Sequence, residues 1–188
     1  MLHSLVDVYT KDILRIRWDH FRQTHDMITH LTKDTRLNIR RPNPPEDMTE
    51  NMAKFIIQNK DNDPSCRWAK SIGTSGDLYS AKYTTDYPPE VKAFTSEGPC
   101  QFGPTKKFGV LYFLDLRTWT KDRVVLWRTN LRSDSAEIKK LRMTKTQTLE
   151  QQCIQGIRPR ISWRKLYPQI APHCVKVYEG TFDDIFIR

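Results

Sequence analysis

The chain has 188 residues, 38% of them hydrophobic and 28% charged, with a formal net charge of +9. That is long enough for one packed domain, too apolar for a disordered chain, and without the run of about 18 apolar residues that crosses a membrane. A basic balance with a pI of 9.5 favours a polyanionic partner, nucleic acid ahead of an acidic membrane surface.

The first residues, Met1 to Val8, place an acid at Asp7 and lack an apolar segment of signal-peptide kind. Cys66, Cys100, Cys153 and Cys174 are widely spaced with no C-x-x-C. They read as free thiols in a reducing, cytoplasmic setting. A zinc site from these and His173 lacks the paired ligand spacing such sites use.

Residues 4–33 read as a helix, with Leu5, Val8, Ile13, Ile16 and Phe21 as a broken apolar stripe. His20, His25 and His30 recur every five residues, which does not align them on one face, so they read as surface or phosphate-facing groups. Residues 35–45 form a linker in which Arg36, Arg40 and Arg41 run into Pro42, Pro44 and Pro45. Arg40 and Arg41 are candidate DNA-backbone contacts; a solvated basic loop is the plainer alternative. Residues 46–60 are a helix, with acids in the first turn suited to the dipole and Met52, Phe55 and Ile56 on one face. Glu50 sits in its early turns. A turn over 61–64 and a short strand near 66–68 follow.

The most informative stretch is 74–116. Asp77 follows Gly76 where the chain turns into an aromatic segment, and Pro88-Pro89 precede Glu90-Val91-Lys92. Two prolines end any helix, so a strand carries 90–92. On a strand, residues i and i+2 share a face, so Glu90 and Lys92 project together and Val91 turns to the apolar side. With Asp77 on the neighbouring strand of a hairpin, two carboxylates and an ammonium converge. Hard oxygen donors of this kind suit Mg²⁺, and a lysine beside them can orient a water or stabilise charge at a phosphate. A cross-strand ion pair is the alternative reading. Asp86, four residues before Glu90, competes as the first acid. A second E-x-K, Glu137-Ile138-Lys139, lies in a polar stretch that reads as a solvated helix surface.

Val110 to Leu114 is wholly apolar and reads as a buried strand, with 124–129 returning beside it as a hairpin after a turn over 118–123. Residues 132–164 are rich in charges and amides, with no lasting apolar period. A mobile segment of that composition suits base reading, since arginine forks onto guanine and glutamine onto adenine. Its candidates are Lys145, Gln147, Gln151, Arg158 and Arg160; a basic surface loop is the alternative. Residues 162–170 read as a short helix, 175–178 as a strand and 182–187 as an apolar tail that docks on the core.

The order of acid, E-x-K strand, loop and buried apolar strand resembles the PD-(D/E)-x-K nuclease superfamily. The run EVKAFTSEGPCQFGP over 90–104, followed by LYFLD over 111–115, resembles a group of small type II restriction endonucleases. The name-giving proline before the first acid is absent, and Gly76 stands in its place. The resemblance implies an α/β fold of one domain, with a mixed central sheet of about five strands flanked by helices. It divides the chain into a basic N-terminal arm over 1–45, a catalytic core over 46–131, and a recognition segment with C-terminal core elements over 132–188. It further implies Mg²⁺ held by Asp77, Glu90 and the Val91 carbonyl, with Lys92 positioning the water. By the same resemblance Glu50 is a further metal ligand, against its plainer role as a dipole-complementing acid. Lys106 and Lys107 would contact the DNA backbone. The implied activity is sequence-specific cleavage of double-stranded DNA to 5′-phosphate ends, by a homodimer accompanied by a separate methyltransferase. A structure-specific repair nuclease and a non-catalytic basic binding module are the alternatives.

Overall fold

The computed structural model describes residues 9–39, 41–74 and 76–187. The chain opens with helix α1 (Lys11–Thr35), capped by the Thr10 side chain accepting from the Ile13 amide, and α2 (Glu46–Lys60), whose span is the one the sequence predicts. Short strands β1 (Arg67–Trp68) and β2 (Leu78–Tyr79) pair antiparallel as a separate ribbon. Strand β3 (Pro89–Phe94), β4 (Cys100–Gln101), β5 (Val110–Asp115) and β6 (Val124–Thr129) follow. Helices α3 (Ala136–Lys139) and α4 (Leu149–Ile154), strand β7 (Arg160–Ile161), helix α5 (Trp163–Ile170) and strand β8 (Cys174–Gly180) complete the order. A 3₁₀ turn, Asp183–Phe186, ends it.

The central sheet runs β3-β5-β6-β8. Strands β3 and β5 are parallel; β5–β6 and β6–β8 are antiparallel. The fold is thus the expected α/β one with a mixed sheet: about five strands were expected, and among the described residues the sheet has four. The difference lies in the two-residue strands, which pair off as the ribbons β1–β2 and β4–β7 instead of joining the sheet.

Both faces of the sheet are covered, and alternation along each strand decides which residue meets which layer. Val91, Val110, Tyr112, Leu114, Val124 and Leu126 pack with residues of α1 and α2 in one cluster. Phe94, Leu111 and Phe113 point the other way and pack with Ile138, Leu149, Trp163 and Leu166 of α3, α4 and α5. All six residues of β5 are buried: Val110 to Leu114 as an apolar run requires, and Asp115 paired with Arg117. The C-terminal tail docks as expected, through Phe182 and Ile185.

Residues 132–164 correct the expectation of a mobile polar segment. Leu141 and Met143 join Ile138, Leu149 and Ile161 in the second cluster. The elements there are too short for a helical period to register, so their apolar residues look scattered in sequence. Of the three evenly spaced histidines one needs correcting: half-buried His25 packs edge-on against Trp119, ring centres 4.7 Å apart, while His20 and His30 are exposed.

Trp18 joins α1 to the C-terminus. It stacks on Phe182 with ring centres 5.0 Å apart, meets Trp119 edge-on at 5.5 Å, and is 1% exposed. Trp18→Ala is expected to cost about 3–5 kcal/mol, the usual range for emptying a buried aromatic site. Ile16→Ala, on the same helix but 57% exposed, should stay within about 0.5 kcal/mol. Urea unfolding of both variants checks this, and equal losses would mean α1 is held by its outer face.

Candidate active site

Strand β3 lies at an edge of the sheet, so its outer amides need partners other than a neighbouring strand. The Val91 amide donates to Asp77 Oδ2 at 2.9 Å. Asp77 stands just before β2, and β2 pairs with β1, not with β3. The expected hairpin of Asp77 with the E-x-K strand is therefore corrected: the acid reaches β3 by its side chain, from a separate ribbon.

Gly76 makes this approach possible. Its φ is +99°, a value the proline ring, fixed near −65°, does not adopt. A Cβ there would also come within 2.8 Å of Pro88 Cγ. The residue that departs from the resembled motif is thus the one this backbone demands.

Glu90 and Lys92 share a face, as their spacing predicts, and Lys92 Nζ donates to Glu90 Oε1. Glu90 is 2% exposed. Burial pushes its carboxyl above the usual range, Asp77 adds to the shift and Lys92 opposes it. Val91 turns into the first core cluster, as expected.

Lys106, expected at the DNA backbone, sits inside this cluster. Its Nζ lies 2.9 Å from Glu90 Oε2 and 3.2 Å from Asp77 Oδ1. Glu90 Oε2 is buried, and the Lys106 ammonium is the group beside it. Sequence reading missed this placement because Lys106 is distant from both acids along the chain and only the fold brings them together.

These residues line a cleft of about 710 Å³. Its wall also includes Glu50 and Arg158. Glu50 is buried, not a surface acid complementing a dipole. Trp68 Nε1 donates to its Oε2 at 2.6 Å, and Lys70 Nζ lies 3.5 Å from the same oxygen. Burial pushes its carboxyl up to about 7, the Trp68 hydrogen bond opposing and the Asp77 charge adding. Among the described residues no group of three or more acids, histidines or cysteines is close enough to share one metal ion.

The remaining candidates fall elsewhere. Asp86 is exposed in the turn where the Tyr87 amide donates to the Thr84 carbonyl, away from the cleft. Glu137 is exposed on α3, and its Lys139 pairs with Glu150 at 3.6 Å. Gln151 completes a capping box with Thr148 at the start of α4. Gln147 bonds Gln152 and Gln155. Arg41, Lys107, Lys145 and Arg160 are exposed and do not line the cleft. Arg40 lies outside the described residues.

The sequence model of the Bsp6I restriction endonuclease family matches residues 15–167. The type II restriction enzyme Bsp6I of Bacillus sp. (strain RFL6) is 33% identical over 90 residues, which cover 48% of this chain and 50% of that enzyme. The chain therefore aligns with about half the length of that relative. No solved structure matches it. The family match takes in Glu50, Asp77, Glu90, Lys92 and Lys106, and on its extent the chain belongs to the Bsp6I restriction endonuclease family.

Proposed function

We propose that this protein is a Mg²⁺-dependent type II restriction endonuclease with a PD-(D/E)-x-K kind of active site. It hydrolyses phosphodiester bonds of double-stranded DNA at one sequence and leaves a 5′-phosphate and a 3′-hydroxyl. The observation that carries this reading is the meeting of Asp77, Glu90 and Lys92 at one wall of a cleft, in a chain of net charge +9.

The donor set fits the metal. Glu90 Oε2 is buried beside the Lys106 ammonium, and Asp77 Oδ1 turns toward the same point. Mg²⁺ takes one or two protein carboxylates and keeps several waters, so a pair of acids suffices. Asp77, Glu90 and the Val91 carbonyl would hold it; Glu50 lines the same cleft, held by Trp68 and Lys70, and does not join the pair on one ion. Bound there, the ion lowers the pKa of a water and neutralises charge on the phosphate.

Lys92 does the rest from the protein side. Its ammonium, held by Glu90 Oε1, orients the attacking water and faces the charge that develops on the phosphate oxygens. Arg158 lines the same cleft, and on this reading it contacts the bases beside the scissile phosphate. The chain works as a single endonuclease domain, in which 132–188 supplies both recognition and core elements. We further propose a homodimer on a symmetric site, protected in its cell by a separate methyltransferase. Family membership supports this reading over a structure-specific repair nuclease or a binding module. Plasmid digestion separates the three: discrete Mg²⁺-dependent bands, junction-limited or random cutting, or none.

On this reading Asp77→Ala, Glu90→Ala and Lys92→Ala each lower the cleavage rate by more than about a hundredfold while duplex binding persists. A Lys92→Ala enzyme that cuts at the normal rate would remove the assignment.

Recognition is tested by contrast. Arg158→Ala should lose about 1–3 kcal/mol of preference for the cognate duplex over a random one. Gln151→Ala should instead lose about 0.5–2 kcal/mol of stability with its cap and keep its specificity. Binding to both duplexes at two salt concentrations, with urea unfolding, measures the two effects. Equal losses on both duplexes for Arg158→Ala would make it a phosphate clamp.

Glu50 sets a pH dependence. Its carboxyl titrates at about 7 in the folded protein and near the ordinary glutamate value when unfolded. The folded state therefore binds the proton more tightly, and stability falls as pH rises from about 4.3 through 7. Glu50→Gln removes this term, so metal-free Glu50→Gln should gain on wild type by up to about 3 kcal/mol between pH 5 and pH 8. A constant difference across that range would show that Glu50 titrates normally.

A further inference from the structure

Asp77 and Glu90, the two acids that meet at β3, are already balanced by the chain itself. Lys92 takes Glu90 Oε1, while Lys106 stands between Glu90 Oε2 and Asp77 Oδ1 at 2.9 and 3.2 Å. Two carboxylates and two ammoniums sum to zero. The two lysines differ in how they are held. Lys92 rises from a strand in the sheet and its side chain is mostly buried. Lys106 comes from the turn closed by its own amide donating to the Gly103 carbonyl at 3.2 Å, and its side chain is 39% exposed. It reaches the acids from the solvent side, on a flexible four-carbon stem.

A divalent cation between the same oxygens needs them at about 2.0–2.1 Å, with near-octahedral geometry. Lys106 Nζ fills that space, so ammonium and dication exclude one another. Charge points the same way. With Lys106 displaced, a dication, Lys92 and the two acids sum to +1, which a phosphodiester balances. With Lys106 retained the sum is +2, in a site with one oxygen buried at Glu90.

We infer that Lys106 is a resident counter-cation, which occupies the divalent-metal position between Asp77 and Glu90 in the DNA-free protein and must leave before metal enters. This inference rests on the metal-dependent reading above. It makes Lys106 a competitor for the site and not a backbone contact in the free protein. Its consequence is that the free enzyme loads metal weakly. A bound DNA phosphate, by offering the displaced ammonium another anion, favours loading when substrate is present.

The test is calorimetric titration of the 188-residue, DNA-free protein with Mg²⁺, for wild type, Lys106→Met, Lys106→Gln, Lys106→Arg and Asp77→Ala. Lys106→Met should bind Mg²⁺ roughly tenfold more tightly than wild type, within the usual range of coupling between two ligands. Lys106→Gln should follow it, Lys106→Arg should stay near wild type, and Asp77→Ala should lose the binding. Circular dichroism and thermal unfolding confirm that each variant is folded. If Asp77→Ala loses the metal while Lys106→Met and Lys106→Gln stay within about twofold of wild type or bind more weakly, the lysine inference alone is overturned. If Asp77→Ala binds Mg²⁺ as wild type does, the metal-site reading fails and the inference falls with it.

Discussion

One hydrogen bond, from the Val91 amide to Asp77 Oδ2, holds the cleft together. It answers a backbone requirement first: β3 is an edge strand, and an unpaired buried amide is costly. In meeting that requirement, Asp77 is fixed beside Glu90, where the two carboxylates repel and burial disfavours the Glu90 charge. Lys92 and Lys106 offset that cost. An acid placed for structural reasons is thus also half of the proposed metal-binding pair, which ties the stability of the edge strand to the chemistry proposed for the cleft.

The electrostatics divide the molecule. Net charge is +9, yet the cleft gathers Glu50, Asp77 and Glu90. A net positive charge draws a polyanion from a distance, while on the proposed reading the acids in the cleft require a cation beside the phosphate. Glu50 shows how far the fold goes in keeping a carboxylate there. It is buried against Trp68 with its pKa pushed up to about 7, a cost to stability that an ordinary surface acid at the same helical position would not carry.

Much of this was legible in the residues, and the limits have physical causes. Helix α2 and strands β3, β5 and β6 read correctly because each is long enough for its period or its apolar run to register. The shared face of Glu90 and Lys92 followed from strand geometry alone. Two-residue strands carry no such signal, so in sequence the residues around Asp77 read as a hairpin partner of β3 instead of part of a separate ribbon. Gln147 and Gln151 looked like base readers by composition, but at the start of a six-residue helix their amides bond within the protein. Lys106 could not be placed at all, since its contacts with Asp77 and Glu90 exist only after the chain has folded. Gly76 is the reverse case: a departure from the motif that the backbone's positive φ explains.

The central claim is that Asp77 and Glu90 form the cation site of a DNA-cleaving cleft. Locating the ion tests it most directly: anomalous scattering from Mn²⁺ in crystals of the protein bound to its duplex. The account predicts a peak between the Asp77 and Glu90 carboxylates, with Lys106 swung away from both. A peak elsewhere in the cleft, or none beside an intact Asp77–Val91 contact, would contradict it.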